Sequence, residues 1–231
     1  MSLILSIETS TNACAVAISK DGHCLTKEFS TMPNSHAAQL NPFIQKACEK
    51  AAISLAELDA VAVGSGPGSY TGLRIGVSTA KAICFALDKA LIAVESLHAM
   101  NLAFIRSGKI DTSLQDVVLC PMIDARRMEV YTAAFTLQNE RLSPTTAEII
   151  NAESFSQYTG KQMVIFGDGA EKCKKMLPNA IFYPDFYPCA ESLGIMAAEK
   201  FLNNQTEDIA YFEPFYLKDF VAGTPKVKGL E

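Results

Sequence analysis

The residues that could do chemistry in this chain follow predicted strands. Glu8, Thr9 and Ser10 come directly after an apolar run at residues 3–7, which predicts a buried strand. Asp124 likewise ends a later apolar run. Two carboxylates across a cleft could hold a hydrated magnesium ion beside a nucleotide. Thr9 and Ser10 could equally stabilise the turn by hydrogen-bonding its backbone, so a structural role stays open.

The glycine-rich stretch at residues 64–76 is the most informative loop in the sequence. It reads GSGPGSYTGLRIG and lies between a predicted strand at residues 60–63 and a predicted helix at residues 75–87. Gly66 and Gly68 would let backbone N–H groups approach a phosphate at the N-terminus of that helix. The spacing matches neither a Walker A loop nor G-x-G-x-x-G. A tight structural turn that brings the helix close to the sheet explains the glycines equally well.

No combination of histidine, cysteine or serine residues in the sequence predicts a zinc site or a hydrolase centre. The three histidines, His23, His36 and His98, include no pair at i and i+4 that could share a metal. No serine lies in the G-x-S-x-G setting of a hydrolase. The seven cysteines are scattered without a C-x-x-C pair, which predicts buried thiols in a reducing cytoplasm.

Composition limits the class of protein further. Hydrophobic residues make up 49% of the 231 residues, which is typical of a globular chain. The net charge of −5 argues against nucleic-acid binding by this chain alone, because such proteins usually present a basic face. No apolar run is long enough to span a bilayer, and the N-terminus does not resemble a signal peptide. We therefore predict a cytoplasmic protein without a membrane contact.

The order of the predicted elements indicates an α/β fold. Three strands, a helix, a strand and a further helix are typical of the RNase H-like arrangement, with right-handed crossovers. The pattern restarts after residue 107: each half has a strand ending in a carboxylate and a later strand ending in Gly-x-Gly. We predict an actin-like (RNase H-like) fold with an N-terminal lobe at residues 1–107 and a degenerate C-terminal lobe at residues 108–231.

The sequence resembles the TsaB (YeaZ) family over nearly its whole length. Three stretches carry most of the similarity: residues 66–76, residues 124–131 and residues 214–217. The turn at Glu8 and the histidine before the first helix also match. The family pattern has aspartate where Glu8 stands and arginine where Lys218 stands, and both differences are conservative.

The resemblance implies a subunit without catalytic activity of its own. TsaB-like proteins are paralogues of the transferase TsaD, which acts with the ATPase TsaE to move a threonylcarbamoyl group onto tRNA. TsaD binds its metal through two histidines on a helix, and the corresponding positions here hold Ser96 and Met100. The resemblance therefore implies a TsaD partner, tRNA contact only through the complex, a homodimer when alone, and no required cofactor.

Two further expectations concern partners and ligands. Ala80, Ile83, Cys84 and Leu87 fall on one side of the second predicted helix, and we expect them to contact TsaD or a second copy of the chain. The alternative function is an actin-like nucleotide-binding protein with weak kinase or ATPase activity. ATP or ADP with magnesium would then occupy the inter-lobe cleft or the complex interface.

Overall fold

Two mixed five-stranded sheets organise the chain. A computed structural model of the protein describes residues 1–33 and 35–218. The predicted C-terminal lobe extends to residue 231, so its last part lies outside the described residues.

The first sheet has the order β3-β2-β1-β4-β5. β1 pairs antiparallel with β2 and parallel with β4. Asp21 and Gly22 form the two-residue turn that joins β2 to β3, and both residues have positive φ, as such hairpin turns require. The strands are β1 (Leu3–Glu8), β2 (Cys14–Lys20), β3 (His23–Ser30), β4 (Ala60–Gly64) and β5 (Ala90–Val94).

Helices cover both faces of this sheet. The central strands β1 and β4 are therefore buried on both sides. Side chains such as Leu5 and Val61 pack against the helices α1 and α2, whereas the neighbouring Ile4 and Ala62 pack against α4. α1 is continuous through Pro42, so the helix does not begin at that proline. The helices are α1 (His36–Ala51), α2 (Tyr70–Leu87), α3 (Ser96–Arg106) and α4 (Ala190–Leu202). Within the described ranges no helix is long and apolar enough to cross a membrane.

The second sheet repeats the first in strand order and direction. Its order is β10-β9-β6-β7-β8, and β6 pairs antiparallel with β7 and parallel with β9. This repetition confirms the predicted duplication and the α/β, actin-like (RNase H-like) fold class. The strands are β6 (Val117–Asp124), β7 (Glu129–Thr132), β8 (Thr146–Ile149), β9 (Gln162–Phe166) and β10 (Ile181–Tyr183).

α3 and α4 connect the two halves by packing. Phe104 of α3 stacks on Phe166 of β9, with ring centroids 4.0 Å apart and an interplanar angle of 9°. α4 follows the second sheet in sequence but packs against the first. The boundary at residues 107/108 stays a prediction: it separates the two sheets in sequence, whereas these helices reach across it.

Polar contacts at the start of α3 also join the halves. His98 Nε2 lies 3.0 Å from the carbonyl oxygen of Asn139, and its ring stacks on Phe135 at 5.1 Å. Glu95, just before α3, forms an ion pair with Arg141. Burial lowers the pKa of His98; the charges of Arg141 and Lys200 also lower it, while the Asn139 carbonyl and Glu95 act in the opposite direction.

We expect this histidine to make the fold sensitive to acid. Because its folded-state pKa lies below the ordinary value of 6.5, the unfolded chain binds the proton more readily, and stability falls as the pH drops through that value. Urea unfolding between pH 7.5 and 5.5 should show the advantage of the wild type over His98→Gln shrinking with acidity.

The exposed His23 provides the control for this measurement. His23→Gln should follow the wild-type pH profile. The prediction is wrong if the free energies of unfolding of the wild type and His98→Gln fall in parallel as the pH drops. The packing around His98 would then not oppose its protonation.

Candidate functional site

The turn after β1 holds a fully buried carboxyl group. Glu8 Oε1 accepts a hydrogen bond from the Ser10 N–H at 2.7 Å. Its carboxyl group lies beside Gly64, where the Cβ of any larger residue would overlap it. Burial raises the pKa of Glu8, and hydrogen bonds from Ser10, Ser96 and Thr9 only partly oppose that effect. Burial therefore opposes ionisation of this carboxyl group, which weighs against a role in binding a cation.

The glycine-rich loop packs directly on this turn. The Ser69 N–H donates to the carbonyl oxygen of Ser10 at 2.6 Å. A Cβ atom at Gly68 would overlap the same carbonyl group. Gly72 and Gly76 are likewise in contact with Thr9. The loop is thus in backbone contact with the turn at the place where a phosphate would have to enter.

Gly66 is held by the first turn of α3. Its N–H donates to Ser96 Oγ at 3.3 Å, and its carbonyl oxygen accepts the Ser96 N–H at 3.0 Å. Its φ of +101° lies in the region that favours glycine. The amide that was predicted to face a phosphate is therefore bonded within the protein. In the following turn, Ser69 Oγ accepts the Gly72 N–H and caps α2, so the helix begins earlier than the predicted residue 75.

Asp124 lies in a separate set of contacts at the end of β6. Its carboxylate accepts the Arg126 N–H at 2.9 Å and forms an ion pair with Lys172. Its own N–H donates to Asp168 Oδ1 at 3.0 Å. Lys172 also donates to the carbonyl oxygens of Arg127 and Glu129, which closes the turn between β6 and β7.

Asp168 follows β9, at the position that corresponds to the glycine-rich loop in the first half. Its pKa is raised to about 6, mainly by burial and further by the charge of Asp124, while hydrogen bonds to its carboxyl group and the charge of Lys172 oppose the rise. Asp168 Oδ1 accepts the hydrogen bond from the Asp124 N–H. The second half therefore places both strand-end carboxyl groups, the partly exposed Asp124 and the largely buried Asp168, in contacts within its own turns.

These residues do not fit a magnesium–nucleotide complex. Glu8 is buried and burial raises its pKa, Asp124 is paired with Lys172, and the Gly66 N–H is bonded to Ser96. Three oxygens of the turn lack a hydrogen-bond partner, but Thr9 Oγ1, one of them, is covered by Gly76. Across residues 1–33 and 35–218, no group of three histidine, cysteine, aspartate or glutamate residues is arranged to hold a metal ion.

The positions that correspond to metal ligands in the resembling transferase family are packed in the interior. Ser96 and Met100 are fully buried on α3. Ser96 bonds to the glycine-rich loop, and Met100 belongs to the core of the second half. Both side chains therefore have structural roles.

The predicted partner contacts on α2 need correction. Ala80 and Cys84 are fully buried in the core against the first sheet, so they cannot contact a partner. Their spacing of four residues places them on one side of α2, and in the structure that side faces the sheet. Ile83 and Leu87 are half-buried, and Ile83 borders a surface groove.

This groove lies between α1 and α2 and has a volume of about 710 Å³. Sequence reasoning missed Ala82, which is exposed at its wall. We call this surface the α1–α2 groove. Its apolar lining residues are Ile44, Cys48, Ala52, Ile53, Leu55, Ala82 and Ile83.

Comparison with known proteins agrees with this arrangement. A family model described as "TsaD: tRNA N6-adenosine threonylcarbamoyltransferase" matches residues 30–226. The tRNA threonylcarbamoyladenosine biosynthesis protein TsaB of Escherichia coli (strain K12) is 29% identical over 230 residues, covering 95% of this chain and 96% of that protein. The Bacillus subtilis (strain 168) protein of the same name is 29% identical over 136 residues, which is 59% of this chain and 56% of that protein.

A solved structure shows the same fold. YeaZ from Pseudomonas aeruginosa matches with a TM-score of 0.80 and 25% sequence identity, covering 94% of this chain and 100% of that one. The resemblance to the TsaB (YeaZ) family is thereby confirmed. Because the family model spans most of the sequence, the chain belongs to the TsaD family, and within that family it is similar over nearly its whole length to a TsaB protein.

Proposed function

We propose that the chain is a non-catalytic subunit of the tRNA threonylcarbamoyladenosine biosynthesis complex, where it binds and supports a TsaD-type transferase. The names of its relatives support the role in tRNA modification. The observation that carries the proposal is the apolar α1–α2 groove. In the same fold, the glycine-rich loop packs against the turn after β1.

The α1–α2 groove suits a helical partner. Ala82 and Ile83 on α2 face Ile44 and Cys48 on α1, and these short or branched side chains allow another helix to approach closely. Phe85, on the following turn of α2, is 83% exposed and would be buried by such a partner. A TsaD-type paralogue carrying the same fold offers a similar pair of helices. Without it, a second copy of the chain can use the same face about a two-fold axis.

Contacts of the strand-end turn support the absence of catalysis by this chain alone. A kinase or ATPase would need open amides for the phosphates and ionised carboxylates for the cation. Here Gly66 bonds to Ser96, burial opposes ionisation of Glu8 by raising its pKa, and Asp124 pairs with Lys172. No contact in the described part of the chain favours the alternative of weak kinase or ATPase activity.

The remaining partners follow from the complex rather than from this chain. With a net charge of −5, the chain is poorly suited to bind a phosphate backbone, so tRNA is contacted through the complex. A TsaE-like ATPase joins the same assembly. The complex acts in the cytoplasm, where tRNA is modified.

The groove predicts the effect of a charge placed in it. Ala82→Glu should weaken binding to the TsaD-type paralogue of the same organism by at least about tenfold, because a carboxylate would be buried without a partner. Size-exclusion chromatography of the mixed proteins should show co-elution for the wild type and separate peaks for Ala82→Glu.

Ala152→Glu is the matched control, since Ala152 is exposed and lies in the second half. This variant should co-elute like the wild type. Failure of the wild type to co-elute would count against the partnership, and co-elution of Ala82→Glu would place the contact elsewhere.

The packing of the glycine-rich loop predicts a large loss of stability at Gly68. Gly68→Ala should lower the free energy of unfolding by at least about 2 kcal/mol, because its Cβ would meet backbone atoms of Ser10 that cannot move aside. Chemical denaturation measures this loss, and failure to fold is the extreme form of the same result.

Gly108→Ala separates this effect from ordinary backbone strain. Gly108 has a φ of +69° but open space around it, so its substitution should cost only about 1 kcal/mol. Equal stability of the two variants would mean that the loop is free to move off the turn, as a phosphate-binding loop would be.

A further inference from the structure

A second pocket flanks the α1–α2 groove and has contacts of a different kind. It lies between α2 and residues 212–216, with a volume of about 320 Å³. Ser78 borders both the pocket and the groove. The side chains that line it include two cations and two tyrosines: Tyr70, Arg74, Lys81 and Tyr216.

The outer wall of this pocket is fixed by backbone hydrogen bonds. The Glu207 N–H donates to the carbonyl oxygen of Leu91 at 2.8 Å, which adds the C-terminal segment to the edge of the first sheet. The Phe215 N–H donates to the carbonyl oxygen of Ser65 at 2.8 Å. The pocket is therefore bordered by a held segment rather than by a loose chain end.

Two positive charges at the pocket, Arg74 and Lys81, donate to uncharged groups within the described part of the chain. Lys81 Nζ donates to the carbonyl oxygens of Ala210 and Phe212 at 3.2 and 2.9 Å, which leaves a third N–H. The Arg74 guanidinium donates to the Tyr70 hydroxyl at 3.3 Å and lies 5.4 Å from the centre of that ring. Among the residues that the structure describes, no carboxylate forms an ion pair with either cation.

An aromatic surface lies next to these charges. The rings of Tyr70 and Tyr216 are 5.0 Å apart with an interplanar angle of 40°. Tyr216 is 38% exposed and borders the pocket. An exposed tyrosine ring beside a cation provides a platform on which a nucleobase can stack.

We propose that this pocket binds a nucleotide. Its phosphates would contact Arg74 and Lys81, its base would stack on Tyr216, and the Glu213 carboxylate at the wall would accept hydrogen bonds from ribose hydroxyls. The volume lies in the range of small-ligand sites. This site is separate from the filled turn at Glu8 and does not require a partner protein, so it goes beyond the proposed scaffold function.

Calorimetric titration of the purified full chain with ADP tests the proposal. ADP should bind at one site per chain. Arg74→Gln should weaken ADP binding about tenfold, since a charge-assisted contact to phosphate is lost. Tyr216→Leu should weaken it about fivefold or more, by removing the stacking surface. Arg106→Gln is the matched control, because Arg106 is an exposed arginine at the end of α3, and it should bind ADP like the wild type.

Tyrosine fluorescence provides a second measurement, and its titrations of the wild type with ADP and pyrophosphate require no variant to fold. The chain has seven tyrosines and no tryptophan, so its intrinsic emission comes from tyrosine. ADP should change that emission in the wild type and not in Tyr216→Leu, whereas pyrophosphate should bind more weakly than ADP.

Three results would overturn the proposal. They are no ADP binding at millimolar concentration, ADP affinity unchanged in both Arg74→Gln and Tyr216→Leu, and pyrophosphate binding as tight as that of ADP. The last result would assign the pocket to an anion without a base.

Discussion

The contact between the glycine-rich loop and the turn after β1 is the constraint on which the rest of the structure depends. Gly68 meets the backbone of Ser10, and Gly76 meets Thr9, because neither carries a side chain. Ser69 bonds to the same turn and caps α2. The direction of α2 is therefore set by backbone contacts that a single added methyl group would break. The α1–α2 groove takes its shape from that helix. So does the pocket between α2 and residues 212–216, which we call the tyrosine-lined pocket.

The same contact gives the glycines of this loop a packing role that requires no bound nucleotide. In a nucleotide-binding actin-like fold, the amides of this loop and the carboxylate after β1 would face a bound phosphate and cation. In this chain they face each other: Gly64 makes room for the Glu8 carboxyl group, and Gly66 bonds to Ser96. Burial then favours the neutral form of Glu8. Packing against the turn is therefore sufficient to account for these glycines.

Local patterns were readable from the sequence, whereas long-range packing was not. The strands that end in Glu8 and Asp124 and the hairpin at Asp21-Gly22 follow from short-range periodicity and turn chemistry. The burial of Ala80 and Cys84 depends on which side of α2 meets the sheet, and that choice is made by residues distant in sequence. Their i and i+4 spacing predicts that they share one face of α2. The local sequence does not say whether that face is directed to the sheet or to solvent.

The walls of the tyrosine-lined pocket also depend on long-range packing that local sequence patterns do not predict. Glu207 pairs with Leu91, and Phe215 with Ser65, although nothing near Leu91 or Ser65 in sequence indicates a returning segment. The sequence around Lys81 does not distinguish it from a surface lysine of α2. Its environment is set by the carbonyl oxygens of Ala210 and Phe212, which are about 130 residues away in the chain. Because Ser78 borders both the pocket and the groove, an occupant of either surface contacts the same turn of α2. Any free-energy coupling between them must be equal in both directions. The tight glycine contact limits whole-helix movement, so such coupling would pass through side chains around Ser78 rather than through a shift of α2.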